Sequence, residues 1–225
     1  MAKRSKRYRT EAEQLAKKAM SLAEAVEKVK SFDSVKFDQS VECVLQLGID
    51  PKQADQLVRS SISLPHGIGR SKKVVVFCEE QDIETAKDAG AVEAGSDELI
   101  KKIEQGWSDF DVAIASAKMM SKVSKLGRIL GPQGKMPSPK NGTVTNNIAT
   151  AVTEFAAGKI EFRNDAGGNV HVVVGKQSFE AKKLVDNIDA FVSYIKKIKP
   201  ATVKGTFIKK MCISAAMSPA IMVSI

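Results

Sequence analysis

The chain of 225 residues holds two histidines, His66 and His171, and three cysteines, the side chains with the strongest claim to catalysis or metal binding. Zinc sites take His and Cys at close, repeated spacings. No cysteine stands near either histidine in sequence, so a metal site is not expected. A hydrolytic triad would have only these two bases, and no Gly-x-Ser-x-Gly turn presents a serine to them. Cys43, Cys78 and Cys212 are odd in number, far apart and set among Val, Leu and Ile. They read as small core residues of a protein in a reducing cytosol. The expectation is a protein with no catalytic residue, no metal and no cofactor.

Phosphate chemistry is the next candidate, because glycines let backbone amides approach an anion. Gly67-Ile68-Gly69-Arg70-Ser71-Lys72 supplies two of the three glycines of a dinucleotide fingerprint, but it precedes an apolar strand instead of following it. It reads as a hinge. Directly after that strand stand Glu79, Glu80 and Asp82, which would repel a phosphate. Gly134-Lys135 is followed by Met136, and Ile129 stands where a P-loop needs its first glycine. These departures argue against a nucleotide-dependent enzyme. The Gly- and Pro-rich stretch Gly127–Gly142 is expected to be a long ordered or semi-ordered loop made positive by Arg128, Lys135 and Lys140. Two readings of it stand level: a structural loop with solvated charges, and a second contact to nucleic acid or protein.

Charge points more firmly. Lys and Arg number 35 against 26 Asp and Glu, a formal net charge of +9. That balance favours a polyanionic partner, since each neutralised phosphate releases counterions. Residues 68–158 carry twelve basic and twelve acidic side chains, so the whole excess lies in the flanks. There, Lys36-Phe37-Asp38 offers a Phe that is either core or a platform for a base or ribose. Lys159, Glu161, Arg163 and His171 alternate with apolar residues and are expected on one two-stranded surface, either solvated or gripping a phosphate backbone. Trp107, Tyr8 and Tyr194 are scattered, so a single-strand stacking sheet is not indicated. The chain reads as a binder of folded RNA; no helix-turn-helix or zinc finger signals DNA. A protein-interaction scaffold is the rival reading, and it would bind independently of salt.

The elements that must position these residues follow from periodicity. Ser21 lies three residues before Glu24, a capping-box pattern, and Leu22, Val26 and Val29 follow at helical spacing. Val41, Cys43, Leu45 and Leu47 share one parity, as in a half-buried strand. Val74–Cys78 and Asp111–Ala115 are continuous apolar runs, as in strands buried on both faces. Between and after them come helices at about 82–89, 97–105 and 146–157 and a short strand at 91–94. Residues 159–165, a turn at 166–169 and 170–174 are expected to form a hairpin. A helix carries Ala181, Leu184, Val185, Ile188, Phe191, Val192 and Ile195 on one face, and a final strand spans 205–216. The fold expected is an α+β, two-layer discontinuous domain, residues 1–67 and 159–225, with an inserted Rossmann-like α/β domain, residues 68–158. No run is long and apolar enough to cross a membrane. The basic start, Met1 to Arg9, has no apolar stretch behind it, and Glu11 and Glu13 follow too soon for an acid-poor leader.

Several longer motifs stand in order: Leu64-Pro65-His66-Gly67, Gly106-Trp107-Ser108-Asp109-Phe110-Asp111, Leu126-Gly127-Arg128-Ile129-Leu130-Gly131-Pro132, Met136-Pro137-Ser138-Pro139-Lys140, Gly142-Thr143-Val144 and Ile160-Glu161-Phe162-Arg163-Asn164-Asp165. Over nearly its whole length the chain resembles the bacterial L-one family of ribosomal proteins, those of the lateral stalk. The resemblance implies a non-enzymatic, cytoplasmic protein of the large ribosomal subunit, monomeric when free and not bound to membrane. Its implied partners are the lateral-stalk region of large-subunit rRNA, tRNA leaving the exit site, and the leader of its own mRNA, whose translation it would repress. Domain I would grip the rRNA through Lys36, Phe37, Arg163, Asp165, His171, Lys176, Ser178 and the loop Ala216-Met217-Ser218. Lys159 and Glu161 are added from the expected hairpin surface. Domain II would ride on hinges at Gly67, Gly69 and Gly158 and offer Arg128, Lys135 and Lys140 as a second RNA contact. The family usually has Thr-Met-Gly where this chain has Ala216-Met217-Ser218, and often Asn where it has Ser138. Ala216 lacks a hydroxyl, and Ser218 lacks glycine's freedom for close approach and for positive φ. The expectation is that Ala216→Thr with Ser218→Gly tightens RNA binding.

Overall fold

A computed structural model describes residues 4–15, 18–32 and 35–224; Met1–Lys3 of the basic N-terminus lie outside them. In chain order come α1 (Lys6–Glu13), α2 (Leu22–Ser31), β1 (Ser40–Leu47), β2 (Arg59–Ile62), β3 (Val74–Phe77), α3 (Ile83–Asp88), β4 (Glu93–Gly95), α4 (Asp97–Glu104) and β5 (Val112–Ala115). Then follow α5 (Met120–Val123), α6 (Gly127–Leu130), α7 (Ile148–Ala156), β6 (Ile160–Arg163), β7 (Asn169–Lys176), α8 (Ala181–Lys197), β8 (Ile208–Ala215) and β9 (Ile221–Val223). The chain divides into two compact units, residues 1–69 with 162–225, and residues 70–161. Among the described residues no helix is long and apolar enough to cross a membrane.

The first unit is built on a four-stranded sheet in the order β7-β1-β8-β9, with β1 antiparallel to both β7 and β8. Alternation in β1 buries Val41, Cys43, Leu45 and Leu47, and α2 and α8 pack against this sheet. Ser21 accepts the Glu24 N–H and Glu24 accepts the Ser21 N–H, so the capping box forms and starts α2. On α8 the buried face holds Leu184, Ile188, Phe191 and Ile195, and also Asn187. That amide is fully buried because its bonds are satisfied. It accepts the His66 N–H (3.0 Å) and donates to the carbonyls of Gly67 (3.0 Å) and Val174 (2.8 Å).

The second unit holds a parallel sheet in the order β4-β3-β5. Alternate residues of β3 feed two cores, which is why the whole strand is apolar. Val75 and Phe77 pack with Leu99, Ile100 and Ile103 of α4 and with Val123, Leu126 and Leu130. Val74 and Val76 pack with Ala86 of α3 and with Ile148, Val152 and Phe155 of α7.

Three expectations are corrected. The hairpin between 159–165 and 170–174 does not form: β6 pairs with β2, β7 pairs with β1, and only an isolated bridge joins Asn164 to Val170. Asp165 reverses the chain by accepting the N–H groups of Gly167 (2.8 Å) and Asn169 (2.7 Å). Each arm is then captured elsewhere. Asn164 exchanges bonds with Val58, both 2.9 Å, and the Gly168 carbonyl accepts the Leu47 N–H at 2.9 Å. The stretch 127–142 is not all loop: α6 and a 3-10 turn at Pro139–Asn141 lie within it, with Leu130 and Asn141 buried. Cys43 and Cys78 are core residues, but Cys212 is only half-buried, on the opposite parity of β8 from Met211 and Ile213.

Candidate nucleic-acid interface

Register brings three strand ends of the first unit together. Ser40 of β1 faces Lys176 of β7, and Val41 faces Ala215 of β8. The segments leaving these ends are 36–39, 177–179 and 216–218. Gln39, 1% exposed, ties them: its carbonyl accepts the Gln177 N–H (2.8 Å), its Nε2 donates to Gln177 Oε1 (2.9 Å) and its Oε1 accepts the Met217 N–H (2.9 Å). Asp38 accepts both the N–H (3.0 Å) and the hydroxyl (2.8 Å) of Ser178. Lys176 Nζ donates to Ser40 Oγ at 2.9 Å.

The result is a fixed patch with two apolar side chains held in solvent. Phe37 is 51% exposed and Met217 53%. Phe37 is therefore not a core residue. Lys36 is exposed beside it. A flat ring and a thioether next to cations on rigid strand ends suit ribose, base and phosphate together.

Sequence reasoning missed part of this neighbourhood. Arg7 donates to the Met217 carbonyl (3.1 Å) and lies 4.0 Å from Glu11. Arg4 lies over the Tyr8 ring, 4.4 Å from its centroid. With Ser214 and Met217 these residues line a cleft of about 440 Å³. The available signal was Arg7 and Tyr8 in the first turn behind the Ser5 cap, with Arg4 just before it. Gln39 and Asn187 were legible only as polar residues in phase with a buried face, Gln39 on the parity of Val41 and Asn187 three residues after Leu184.

Arg163, Asp165 and His171 gather separately, around the Asn164–Val170 bridge. Arg163 is exposed while its neighbour Phe162 packs edge-on to Phe191 (5.7 Å) and Tyr194 (6.1 Å). His171 Nε2 lies 3.5 Å from Asp165. Five residue steps along β7, about 17 Å, separate His171 from Lys176.

Lys159 and Glu161 do not join either group. Both belong to the second unit, where Lys159 pairs with Glu154 (2.6 Å) and Glu161 accepts a bond from Asn141. The Lys159 carbonyl accepts from Lys72 (2.7 Å), whose pKa burial lowers. Of the three basic residues in 127–142, Arg128 and Lys140 are exposed. Lys135 is occupied: it donates to the Ser108 carbonyl (2.9 Å) and lies 4.9 Å from the Phe110 ring centroid.

Residues 9–219 match the sequence profile of the Ribosomal protein L1p/L10e family. The chain is 51% identical over 223 residues to large ribosomal subunit protein uL1 of Kosmotoga olearia, covering 98% of this chain and 96% of that one. It is 52% identical over 224 residues to large ribosomal subunit protein uL1 of Rhodopirellula baltica, covering 100% of both. The chain belongs to the ribosomal protein L1p/L10e family.

For this L1p/L10e family chain the 216–218 loop now has a physical account. Among the described residues no non-glycine has positive φ, so Ser218 occupies a backbone that needs no glycine. Its hydroxyl accepts the Ala215 N–H (2.9 Å) and closes the turn into β9. Ala216 is exposed and its N–H is bonded to the Ser40 carbonyl (3.0 Å). The positive-φ reason for expecting a gain from Ser218→Gly is thereby removed, and the change would also delete a turn-closing bond. Gly67, Gly69 and Gly158 all have positive φ, at 62°, 72° and 104°. At Gly69 a Cβ would also stand 2.9 Å from the Phe179 ring, so glycine is required twice over.

Proposed function

We propose that this protein is a structural component of the large ribosomal subunit whose first unit binds the lateral-stalk region of large-subunit rRNA, without catalysis and without a cofactor. The observation that carries this reading is the convergence of Lys36, Phe37, Lys176, Ser178 and Met217 at one end of the β7-β1-β8 sheet. The charge supports it: residues 70–161 hold thirteen basic and thirteen acidic side chains, so the net +9 belongs to the first unit. The two relatives carry the name of a large ribosomal subunit protein, which supports the ribosome as the place of work, in the cytoplasm.

Within this reading Arg163, Asp165 and His171 form a second footing on the same RNA. Lys159 and Glu161 stand at the boundary and pair with residues of the insert, Glu154 and Asn141, instead of joining this footing. Residues 1–67 with 159–225 form the anchoring domain, and 68–158 a Rossmann-like insert carried on glycine hinges at 67, 69 and 158. The insert presents Arg128 and Lys140 to tRNA leaving the exit site. The same patch binds the leader of the protein's own mRNA and represses it, and the free protein is a monomer. Sequencing RNA crosslinked to the protein in cells tests this. Stalk rRNA and the leader should dominate, with crosslinks at Phe37 and Met217; enrichment of neither RNA would overturn the reading.

A further inference from the structure

Residues 190–225 contain six lysines and no Asp or Glu. Lys196, Lys197, Lys199, Lys204, Lys209 and Lys210 fall within fifteen residues, and without them the chain would keep only +3 of its +9. All six are exposed. Among the described residues none has an ion-pair partner.

The fold gathers them. Lys196 and Lys199, from the end of α8, line a hollow of about 290 Å³ with Phe207 and Ile208 at the start of β8. Lys199 donates to the Gly205 carbonyl (3.3 Å), which closes the turn holding Lys204. On β8, Ile208 faces Leu47 and Lys210 faces Gln46, so Lys209 is the extra residue of a bulge. The bulge breaks the alternation and sends both Lys209 and Lys210 into solvent, between buried Ile208 and Met211.

A structural reason covers only part of the cluster. The carbonyl end of α8 favours cations in its last turn, which accounts for Lys196 and Lys197. It does not reach Lys204, Lys209 or Lys210. A protein partner is a poor match, because interface cores deplete Lys and need apolar anchors. The exposed large apolar residues of the first unit, Phe37, Leu57, Met217 and Met222, all lie outside 196–210. A membrane surface also needs an apolar face beside the cations. Spaced phosphates need neither.

We infer that this lysine end is a further RNA-backbone contact of the first unit, independent of sequence and separate from the Phe37–Met217 patch. It rests on the rRNA-binding reading above. From Lys209 to Ala216 is seven strand residues, about 23 Å. A duplex laid along that length presents about a dozen phosphates at about one charge per 1.7 Å.

The test uses the full chain with all six lysines changed to Gln, and a second version with all six changed to Arg. Affinity for a stalk rRNA fragment is measured from about 50 to 200 mM salt, with the fragment either minimal or extended by flanking duplex. On the extended RNA the Gln version should bind about 10- to 100-fold more weakly. Its log–log salt slope should be shallower by about 2–4, at about 0.9 for each phosphate no longer neutralised. On the minimal RNA it should match the wild type, and the Arg version should match it on both. Wild-type affinity and slope on both RNAs would make the lysines a solvated face, and equal weakening on both would assign them to the main patch; either overturns the inference. So would failure of the Arg version to retain wild-type binding. Charge-dependent binding to phosphatidylserine vesicles with RNA binding unaltered would give the surface to membranes and overturn it as well. If the wild type itself fails to bind stalk RNA, the rRNA-binding reading falls and takes this inference with it.

Discussion

Asp165 turns the chain where the two arms around it part. The side-chain N–H of Asn169 first, then the backbone N–H groups of Asn169 and Gly167 and the His171 ring, hold its carboxyl down to about 2. An unfolded Asp titrates near about 3.9. A lowered folded pKa means the carboxylate's contribution is complete above about pH 4 and is lost as pH falls through about 2. The melting-temperature deficit of Asp165→Asn should therefore be constant from neutral pH down to about 4 and shrink to nothing near 2; a deficit that persists there contradicts this role. Ser218 offers a second single-residue test. Ser218→Gly removes the bond to the Ala215 N–H, and a net loss of about 0.5–1.5 kcal/mol is expected in denaturant unfolding. Unchanged stability with tighter RNA binding would restore the expectation drawn from the family pattern. The cysteines differ in the same local way. Burial, reinforced by Cys212, pushes the Cys43 thiol up to about 12, and burial with Asp82 pushes Cys78 up to about 11. A thiol reagent should modify Cys212 alone in the native protein and all three after unfolding; rapid native labelling of Cys43 would place it outside the core.

At the scale of elements, two buried amides organise what the apolar residues only pack. Asn187→Leu keeps the volume of the α8 face but leaves the His66 N–H and the carbonyls of Gly67 and Val174 without their partner. A loss of about 2–4 kcal/mol is expected, read as a fall in the denaturation midpoint. Gln39→Leu should separate positioning from folding, because it frees Met217 and Gln177 while sparing every exposed contact residue. RNA affinity should fall more than stability does; the reverse would make Gln39 merely a core residue. The elements themselves were legible wherever a buried face imposes a period. Examples are β1 with its alternation, the capped α2, the apolar runs of β3 and β5 and the long stripe of α8. Partner choice between strands was not legible. Ile160 and Phe162 fit a hairpin as well as they fit pairing with β2, and the choice rests on Val58 and Asn164, a bond 106 residues apart in sequence. Of the patch, Lys36 and Phe37 were legible from residue type, as an aromatic flanked by charges, and Met217 only through motif resemblance. Gln39, which assembles the patch, stands just before β1 on the parity of buried Val41 and Cys43, where the sequence alone names no partner for its amide.

For the whole molecule the governing fact is how charge divides. The second unit is neutral in sum, and the first carries the entire excess, so binding to RNA should be a property of the first. Removing one of its phosphate contacts should show as a smaller salt dependence. Lys36→Gln and Arg163→Gln, both at exposed positions, are each expected to reduce the slope by about 0.9 with little change in melting temperature. A large fall in melting temperature at unaltered affinity would mean the residue is structural. The most direct measurement compares the full chain with one in which residues 70–161 are replaced by a short Gly/Ser linker. Both are titrated with the same stalk rRNA fragment across a range of salt. The shortened protein should fold, keep its affinity within about tenfold, a difference of about 1.4 kcal/mol, and show the full chain's salt slope. A folded first unit that no longer binds, while residues 70–161 alone retain the affinity, would contradict the assignment of RNA binding to the first unit.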